Sequence, residues 1–248
     1  MPEPQLPPQT ATVSELLDAA TRVFWQTLAK SLPVAMIAML LAALPNLYWL
    51  TTGKPMDLLH PPLDRNFWLL AALGFAGYQY LAAVLMLRQR TILSRGTLDL
   101  QRESTAALAR WPLLMATAIL AGIIIFAGCF ALLLPGVFAL ICFLLLRPVV
   151  LFETVDPWQA LLRCVRLVRP FWVKVLAAAL IAALVFVVCT VAAAAALGIV
   201  QAVFVALGAP PAAMSAFAAA CGLGVQAVAL VYFNSLWLVL YSAANSSA

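Results

Sequence analysis

The last 74 residues, from Val175 to Ala248, constrain this chain most, because they contain no Asp, Glu, Lys, Arg or His. Soluble domains carry about 25% charged residues, whereas this chain has 9% charged and 66% hydrophobic residues. Even a well-folded soluble domain of this length leaves roughly a quarter of its unfolded surface in water. The excess of apolar residues therefore predicts that lipid covers most of the surface, as in an integral membrane protein.

The lengths of the apolar stretches predict an all-α polytopic fold with about six transmembrane helices and cytoplasmic amphipathic helices. A hydrocarbon core of about 30 Å needs about 20 helical residues. We predict a disordered tail at residues 1–11 and one membrane domain at 12–248. Its spans are expected at 31–50, 67–87, 113–134, 136–152, 171–197 and 212–241.

Proline and glycine residues predict where several spans begin or end. Pro45 is expected to bend or end the first span, and Pro112 to be the first residue of the third. Pro135-Gly136 predicts a tight turn into the fourth span. The apolar segment from Ile199 to Leu207 is too short to cross, so we predict an interfacial or re-entrant piece. Gly74 and Gly77 predict a close-packing face in the second span.

Two amphipathic patterns lie beside the spans. The first opens with a capping-box pattern, Thr12 with Glu15, and is expected either in the membrane interface or packed on another cytoplasmic segment. The second starts at Pro157 and predicts an anchoring helix whose basic residues face anionic lipid. Its predicted apolar face is Trp158, Leu161, Leu162, Val165 and Val168, and its polar face is Gln159, Arg163 and Arg166.

The charged residues predict the orientation of the chain. Twelve basic residues fall on one side of the predicted spans, whereas only Lys54 and Arg65 fall on the other. Cytoplasmic loops carry the excess of Lys and Arg. With an even number of spans, both termini are therefore predicted on the cytoplasmic side of a bacterial inner membrane.

Arg147 is the residue that most suggests a ligand site. It lies eleven residues beyond Gly136, or about 16 Å along a helix, and an arginine at mid-span costs roughly 2.5–3.5 kcal/mol. It is predicted to contact a buried anion or lipid headgroup, or to form an internal ion pair. The structural alternative is that it reaches the cytoplasmic interface and fixes the depth of its helix. Pro148 leaves the Leu144 carbonyl free as a possible partner.

Further candidates for contact with a ligand or a lipid headgroup are Glu153, Arg163, Arg166 and Arg169. The polar residues at membrane depth are Gln79, Thr190, Gln226 and Asn234, whose default role is hydrogen bonding between helices. Convergence of these amides and Arg147 on one cavity would favour a transporter or lipid-handling protein. Scattered contacts would favour a protein that organises lipid or assists other envelope proteins.

The segment from Pro135 to Trp172 resembles the YciC-like bacterial membrane proteins, which are related to the membrane domain of glycerophosphodiester phosphodiesterases. The matching positions are Pro135-Gly136, Arg147, Glu153, Ala160-Leu161, Arg169 and Phe171-Trp172. The group often has serine at the position of Cys164 and glycine at that of Pro170. The resemblance covers about forty residues and implies a six-span fold without an established activity. Pro148 and Trp158 complete the set of motif residues.

Residues for catalysis or metal binding are sparse. The single histidine, His60, has no neighbouring cluster of ligands, and the five cysteines include no CxxC pair. Serine and cysteine residues in the spans have no histidine base to activate them. We therefore expect no enzyme activity, no cofactor, no metal site and no nucleic-acid partner. The expected partners are membrane lipids, including anionic phospholipid, and either a second copy or another membrane protein.

Overall fold

The computed structural model describes residues 11–52, 64–94, 96–131, 133–153, 156–207 and 210–245. Within these ranges the chain forms helices and no β-strand. The helices are α1 (Val13–Ala42), α2 (Leu44–Thr52), α3 (Arg65–Leu93), α4 (Leu100–Ala131), α5 (Leu133–Phe143), α6 (Leu146–Phe152), α7 (Pro157–Val168), α8 (Trp172–Ala206) and α9 (Pro211–Asn245). Six segments are long and apolar enough to cross a membrane. The predicted all-α polytopic fold is confirmed.

Helix α1 joins the predicted amphipathic segment and the first span into one 30-residue helix. The capping box is present, because the Thr12 amide donates to Glu15 Oε2 at 2.7 Å and the Glu15 amide donates to Thr12 Oγ1 at 3.4 Å. The prediction of a separate helix in the interface was wrong. Leu16, Ala20 and Val23 are buried, since α1 packs along α9 and α3.

The bend predicted at Pro45 lies two residues earlier. Helix α1 ends at Ala42, and the backbone N–H of Ala43 caps it by donating a hydrogen bond to the Met39 carbonyl. Pro45 is the second residue of α2. A first-turn amide has no partner within its helix, so proline costs nothing there.

Two glycines of α3 allow α1 to approach closely, as predicted. A Cβ atom on Gly74 would lie 2.7 Å from the Leu41 carbonyl oxygen, and one on Gly77 would lie 2.7 Å from Leu41 Cδ1. A methyl group at Gly74 would therefore meet backbone that cannot move without separating the two helices.

Two predicted helix boundaries were wrong. Helix α4 begins at Leu100, so Pro112 lies inside it. Pro135-Gly136 is not a turn but falls in the first turn of α5, which begins at Leu133. Gly136 lets α5 approach α4 closely, because a Cβ there would lie 2.5 Å from the Cys129 amide nitrogen.

The predicted fourth span is broken in the middle. Helix α5 ends at Phe143, a turn follows at Leu144 and Leu145, and α6 begins at Leu146. Pro148 is the buried third residue of α6. As in α2, the proline fits a first turn, and the break upstream of it lets Arg147 leave the line of α5.

Helices α8 and α9 are each 35 residues long, or about 52 Å at 1.5 Å per residue. The prediction of an interfacial or re-entrant piece at Ile199–Leu207 was wrong, because α8 continues through Gly198 to Ala206. A helix satisfies its own backbone groups in lipid, so an apolar continuation is favoured over an irregular segment. Both helices exceed the bilayer core and must tilt or project.

Helix α7 packs on the bundle through part of its predicted apolar face and through smaller residues beside it. The buried residues are Ala160, Leu161, Cys164, Leu167 and Val168. Trp158 and Leu162 of the predicted apolar face are 58% and 44% exposed. The smaller Ala160 and Cys164 let α7 sit close against α4, α5 and α6.

Both ends of the described chain contact the segment around the start of α8. Lys174 Nζ donates to the Ala11 carbonyl at 3.1 Å, and Arg163 donates to Asn245 Oδ1 at 3.1 Å. The two ends therefore lie at the same end of the helical bundle. Apart from Ala11, the predicted disordered tail lies outside the described residues.

Candidate functional site

Arg147 turns into the bundle and bonds to two side-chain amides. Its Nη2 donates to Gln79 Oε1 at 2.9 Å, and its Nη1 donates to Asn234 Oδ1 at 3.1 Å. The guanidinium carbon lies 5.8 Å from the centre of the Tyr78 ring. These contacts replace the expected bond to the Leu144 carbonyl, and they join α6 to α3 and α9.

The position of Gln79 places this contact deep in the bundle. Gln79 is the middle residue of the 29-residue helix α3. Its bond to Arg147 therefore lies about 21 Å along α3 from either end. Among the residues that the structure describes, no acidic side chain pairs with Arg147. A positive charge at this depth is held by neutral acceptors alone.

Asn234 is only half satisfied. Its side chain is fully buried, Oδ1 accepts from Arg147, and Nδ2 has no hydrogen-bond partner. A buried donor without an acceptor costs about 1–3 kcal/mol. The residue that holds the guanidinium therefore also carries a buried N–H donor without an acceptor, and a guanidinium and an amide N–H are both donors that an oxyanion accepts.

Arg147 and Trp237 form a partition between two cavities. The first, which we call the polar cavity, has a volume of about 340 Å³ and is also lined by Tyr78, Gln226 and Asn234. The second, which we call the crevice, has a volume of about 410 Å³ and is also lined by Gln79 and by apolar residues of α4 and α5 such as Leu114 and Leu140. Gln226 and Asn234 therefore share one cavity with Arg147, whereas Gln79 lines the other, so the predicted convergence on one cavity is met only in part. Thr190 instead bonds to the Phe186 carbonyl of its own helix.

Glu153 belongs to a second cluster. Its carboxylate accepts from Arg163 Nε at 3.1 Å and from the Tyr241 hydroxyl at 3.1 Å. Its carbonyl accepts from Arg110 at 2.9 Å. Arg163 and Glu153 therefore neutralise each other, and neither is bonded to Arg147.

The remaining predicted residues lie at the surface or in the packing. Arg166 and Arg169 are exposed, and so is Trp158 near the start of α7. Trp172 is 41% exposed and meets the Phe138 ring edge-on. Pro135 is exposed, whereas Gly136 and Pro148 are buried between helices.

Three residues of the interior were not predicted. Tyr78 and Trp237 border Arg147, and Gln89 donates to the Val231 carbonyl and to Ser235 Oγ, both at 3.0 Å. Tyr78 could have been noted because it adjoins Gln79. Gln89 gives no such signal, because it lies between Arg88 and Arg90 and beyond the predicted end of the second span at residue 87.

Metal ligands do not cluster in the described part of the chain, and His60 lies outside it. Comparison of the chain with protein-family models, with curated proteins and with solved structures finds no match. The fold and the site therefore define the protein by themselves, as an all-α polytopic membrane protein with a polar centre around Arg147.

Proposed function

We propose that this protein handles lipid, and that Arg147 binds the anionic headgroup of a membrane lipid inside the helical bundle. The observation that carries the proposal is the pairing of Arg147 with Gln79 and Asn234, with no acidic partner among the described residues. An ionisable residue at membrane depth marks a functional site by default. The bundle holds this one in place with two amides and leaves its charge available.

The chemistry of the donors favours a phosphate or carboxylate group. Guanidinium has five N–H donors, of which two are engaged by Gln79 and Asn234. Arginine binds oxyanions through paired N–H groups, and the Nδ2 of Asn234 adds a free donor at the same place. A neutral solute would satisfy these donors but leave the charge uncompensated.

The setting of the site favours a lipid over a water-soluble anion. The crevice beside Arg147 is walled by apolar residues, and Phe75 and Leu140 at its edge are 45% and 49% exposed. Lipid is the medium that faces such a surface. We infer a non-enzymatic role in a bacterial inner membrane with both termini in the cytoplasm, in keeping with the YciC-like resemblance.

A second role, in organising anionic lipid at the membrane surface, is favoured by one exposed stripe on α7 and the turn after it. Trp158, Leu162, Arg166 and Arg169 are all exposed. An aromatic residue beside two arginines suits the headgroup layer, where each arginine contributes about 1 kcal/mol of attraction to an anionic leaflet. This role needs no cavity and would leave Arg147 unused.

Native mass spectrometry of the protein released from mixed phospholipid tests the first proposal. We expect the wild type to retain phosphatidylglycerol in preference to phosphatidylethanolamine. Arg147→Gln should lower the ratio of the two retained lipids by about tenfold or more, because it removes a pair of charge-assisted hydrogen bonds to the headgroup. Arg169→Gln is the matched control, because it removes an equal charge from an exposed position. Equal losses in the two variants would assign lipid binding to surface charge and contradict a site at Arg147.

A further inference from the structure

A third, larger cavity shares part of its wall with the polar cavity and is not lined by Arg147. This apolar cavity, of about 570 Å³, lies between α1, α8 and α9. Its walls, all within the described ranges, carry no charged side chain. The volume is in the range of pockets that enclose small organic ligands.

The apolar cavity and the polar cavity share a wall. Phe186, Ala229 and Phe233 line both of them. The Phe186 and Phe233 rings meet edge-on with centres 6.0 Å apart, and Phe233 stacks on Trp237 at 5.9 Å. A ladder of three aromatic rings therefore leads from the apolar cavity to the partition beside Arg147.

The apolar cavity is also open to the outside of the bundle. Val185 on its wall is 56% exposed and Val228 is 38% exposed. Gly224 contributes no side chain, and a Cβ atom there would meet nothing within 4 Å. The space is thus reached from the lipid-facing surface between α8 and α9, and four aromatic rings and several aliphatic side chains line it.

From this arrangement we infer the ligand class: an anionic lipid whose headgroup bonds to Arg147 and Asn234 Nδ2 and whose acyl chain fills the apolar cavity. The inference rests on the proposed function and adds to it the place where the acyl chain of the lipid binds. A charged donor pair next to an apolar cavity matches an amphiphile, whereas inorganic phosphate would use the donors and leave the cavity empty. Burial of each methylene of the chain adds to binding.

Filling the cavity without disturbing the donors tests the inference. Gly224→Leu places a side chain in the open space of the cavity, and Gly222→Leu is the control on the same helix, because its Cβ also meets nothing within 4 Å and it does not line the cavity. Native mass spectrometry compares retained phosphatidylglycerols with long and short acyl chains. We expect Gly224→Leu to weaken retention of the long-chain lipid about tenfold and to leave the short-chain lipid unchanged.

A second pair of variants tests the same cavity independently, in case Gly224→Leu does not fold. Ala193→Leu narrows the same cavity from α8, and Ala192→Leu is its exposed control. Wild-type chain-length preference in both Gly224→Leu and Ala193→Leu would overturn the inference. If Arg147→Gln still loses anionic lipid in that case, the proposed function stands without it.

Two further outcomes are decisive. If Arg147→Gln retains anionic lipid as the wild type does, the proposed function fails, and with it the inference. If inorganic phosphate at millimolar concentration displaces the long-chain lipid as readily as the short-chain lipid, the acyl chain contributes nothing to binding. The occupant of the site would then be a free anion. Resistance of the long-chain lipid to phosphate is the expected result.

Discussion

Arg147 on α6 donates a 2.9 Å hydrogen bond to Gln79, the middle residue of α3. The bond spans 68 residues of sequence and connects the segment Pro135–Phe152 to the middle of the membrane-spanning helix α3. It holds a positive charge where lipid would otherwise force the side chain towards water. The proposed headgroup site and the proposed acyl-chain site both depend on that charge being fixed inside the bundle.

Removing the acceptor at Gln79 should destabilise the protein more than removing a neutral hydrogen bond. Hydrogen bonds to charged groups contribute about 1.5–3 kcal/mol, compared with about 0.5–1.5 kcal/mol for neutral ones. We expect Gln79→Leu to lower the free energy of unfolding in mixed micelles by the larger amount. Gln201→Leu, which removes a neutral bond to the Met214 carbonyl, is the control. Equal losses would mean that Arg147 does not depend on Gln79.

The contact of α4 with α5 should not tolerate a methyl group at Gly136. Its Cβ would lie 2.5 Å from the Cys129 amide nitrogen and 2.7 Å from Cys129 Cα, both backbone atoms. Overpacking of this kind costs about 1–3 kcal/mol, so Gly136→Ala should lower the unfolding temperature in detergent. Gly122→Ala on α4 faces open space and should leave that temperature unchanged or raise it. A neutral Gly136→Ala would contradict the close approach.

Glu153 and Arg163 should be energetically coupled. Their side chains are 21% and 28% exposed and lie 3.1 Å apart. A double-mutant cycle of Glu153→Gln and Arg163→Gln should therefore give a coupling free energy of about 0.5–1.5 kcal/mol. Unfolding in mixed micelles measures the four species. A parallel cycle of Glu153→Gln with Arg169→Gln should give a coupling near zero, because Arg169 is exposed and does not contact Glu153. Similar couplings in both cycles would indicate a general effect of charge.

Orientation is the prediction that the loops make most strongly. A reporter that is active only in the periplasm should be silent when joined after Ala248, because the basic loops favour the cytoplasm. The same reporter inserted between residues 53 and 63, in the connection of α2 to α3, should be active. Activity at Ala248 would reverse the orientation and place the charged end of the bundle outside.

The span count followed from sequence because each apolar stretch had the length that a bilayer requires. The helix boundaries did not follow so well. Pro112 and Pro135 are compatible both with a helix start and with a first or interior turn, and packing decides between them. Gly198 suggested an end to α8, but in lipid an unbroken helix satisfies the backbone better than a loop.

The candidate site was predicted in part. Arg147 was identified from its depth, and Gln79 and Asn234 from their polarity within apolar spans. Their direct contact could not be foreseen, because the bonds join residues 68 and 87 positions apart. The break at Leu144 and Leu145 lies where Pro148 leaves the Leu144 carbonyl without its helical partner, but the direction in which it turns Arg147 could not be predicted from that proline. The pairing of Glu153 with Arg163 depends on how α7 folds back and was likewise not visible.

The most direct test of a lipid site at Arg147 is photocrosslinking from Trp237, which borders both cavities beside the guanidinium. A photoreactive phenylalanine replaces Trp237 in native membranes, and mass spectrometry identifies the adduct. The same replacement at the exposed Trp172 reports the bulk lipid. We predict anionic phospholipid adducts at position 237, enriched over position 172 and lost with Arg147→Gln. Adducts at position 237 that match the bulk composition, or that persist in Arg147→Gln, would contradict a headgroup site at Arg147.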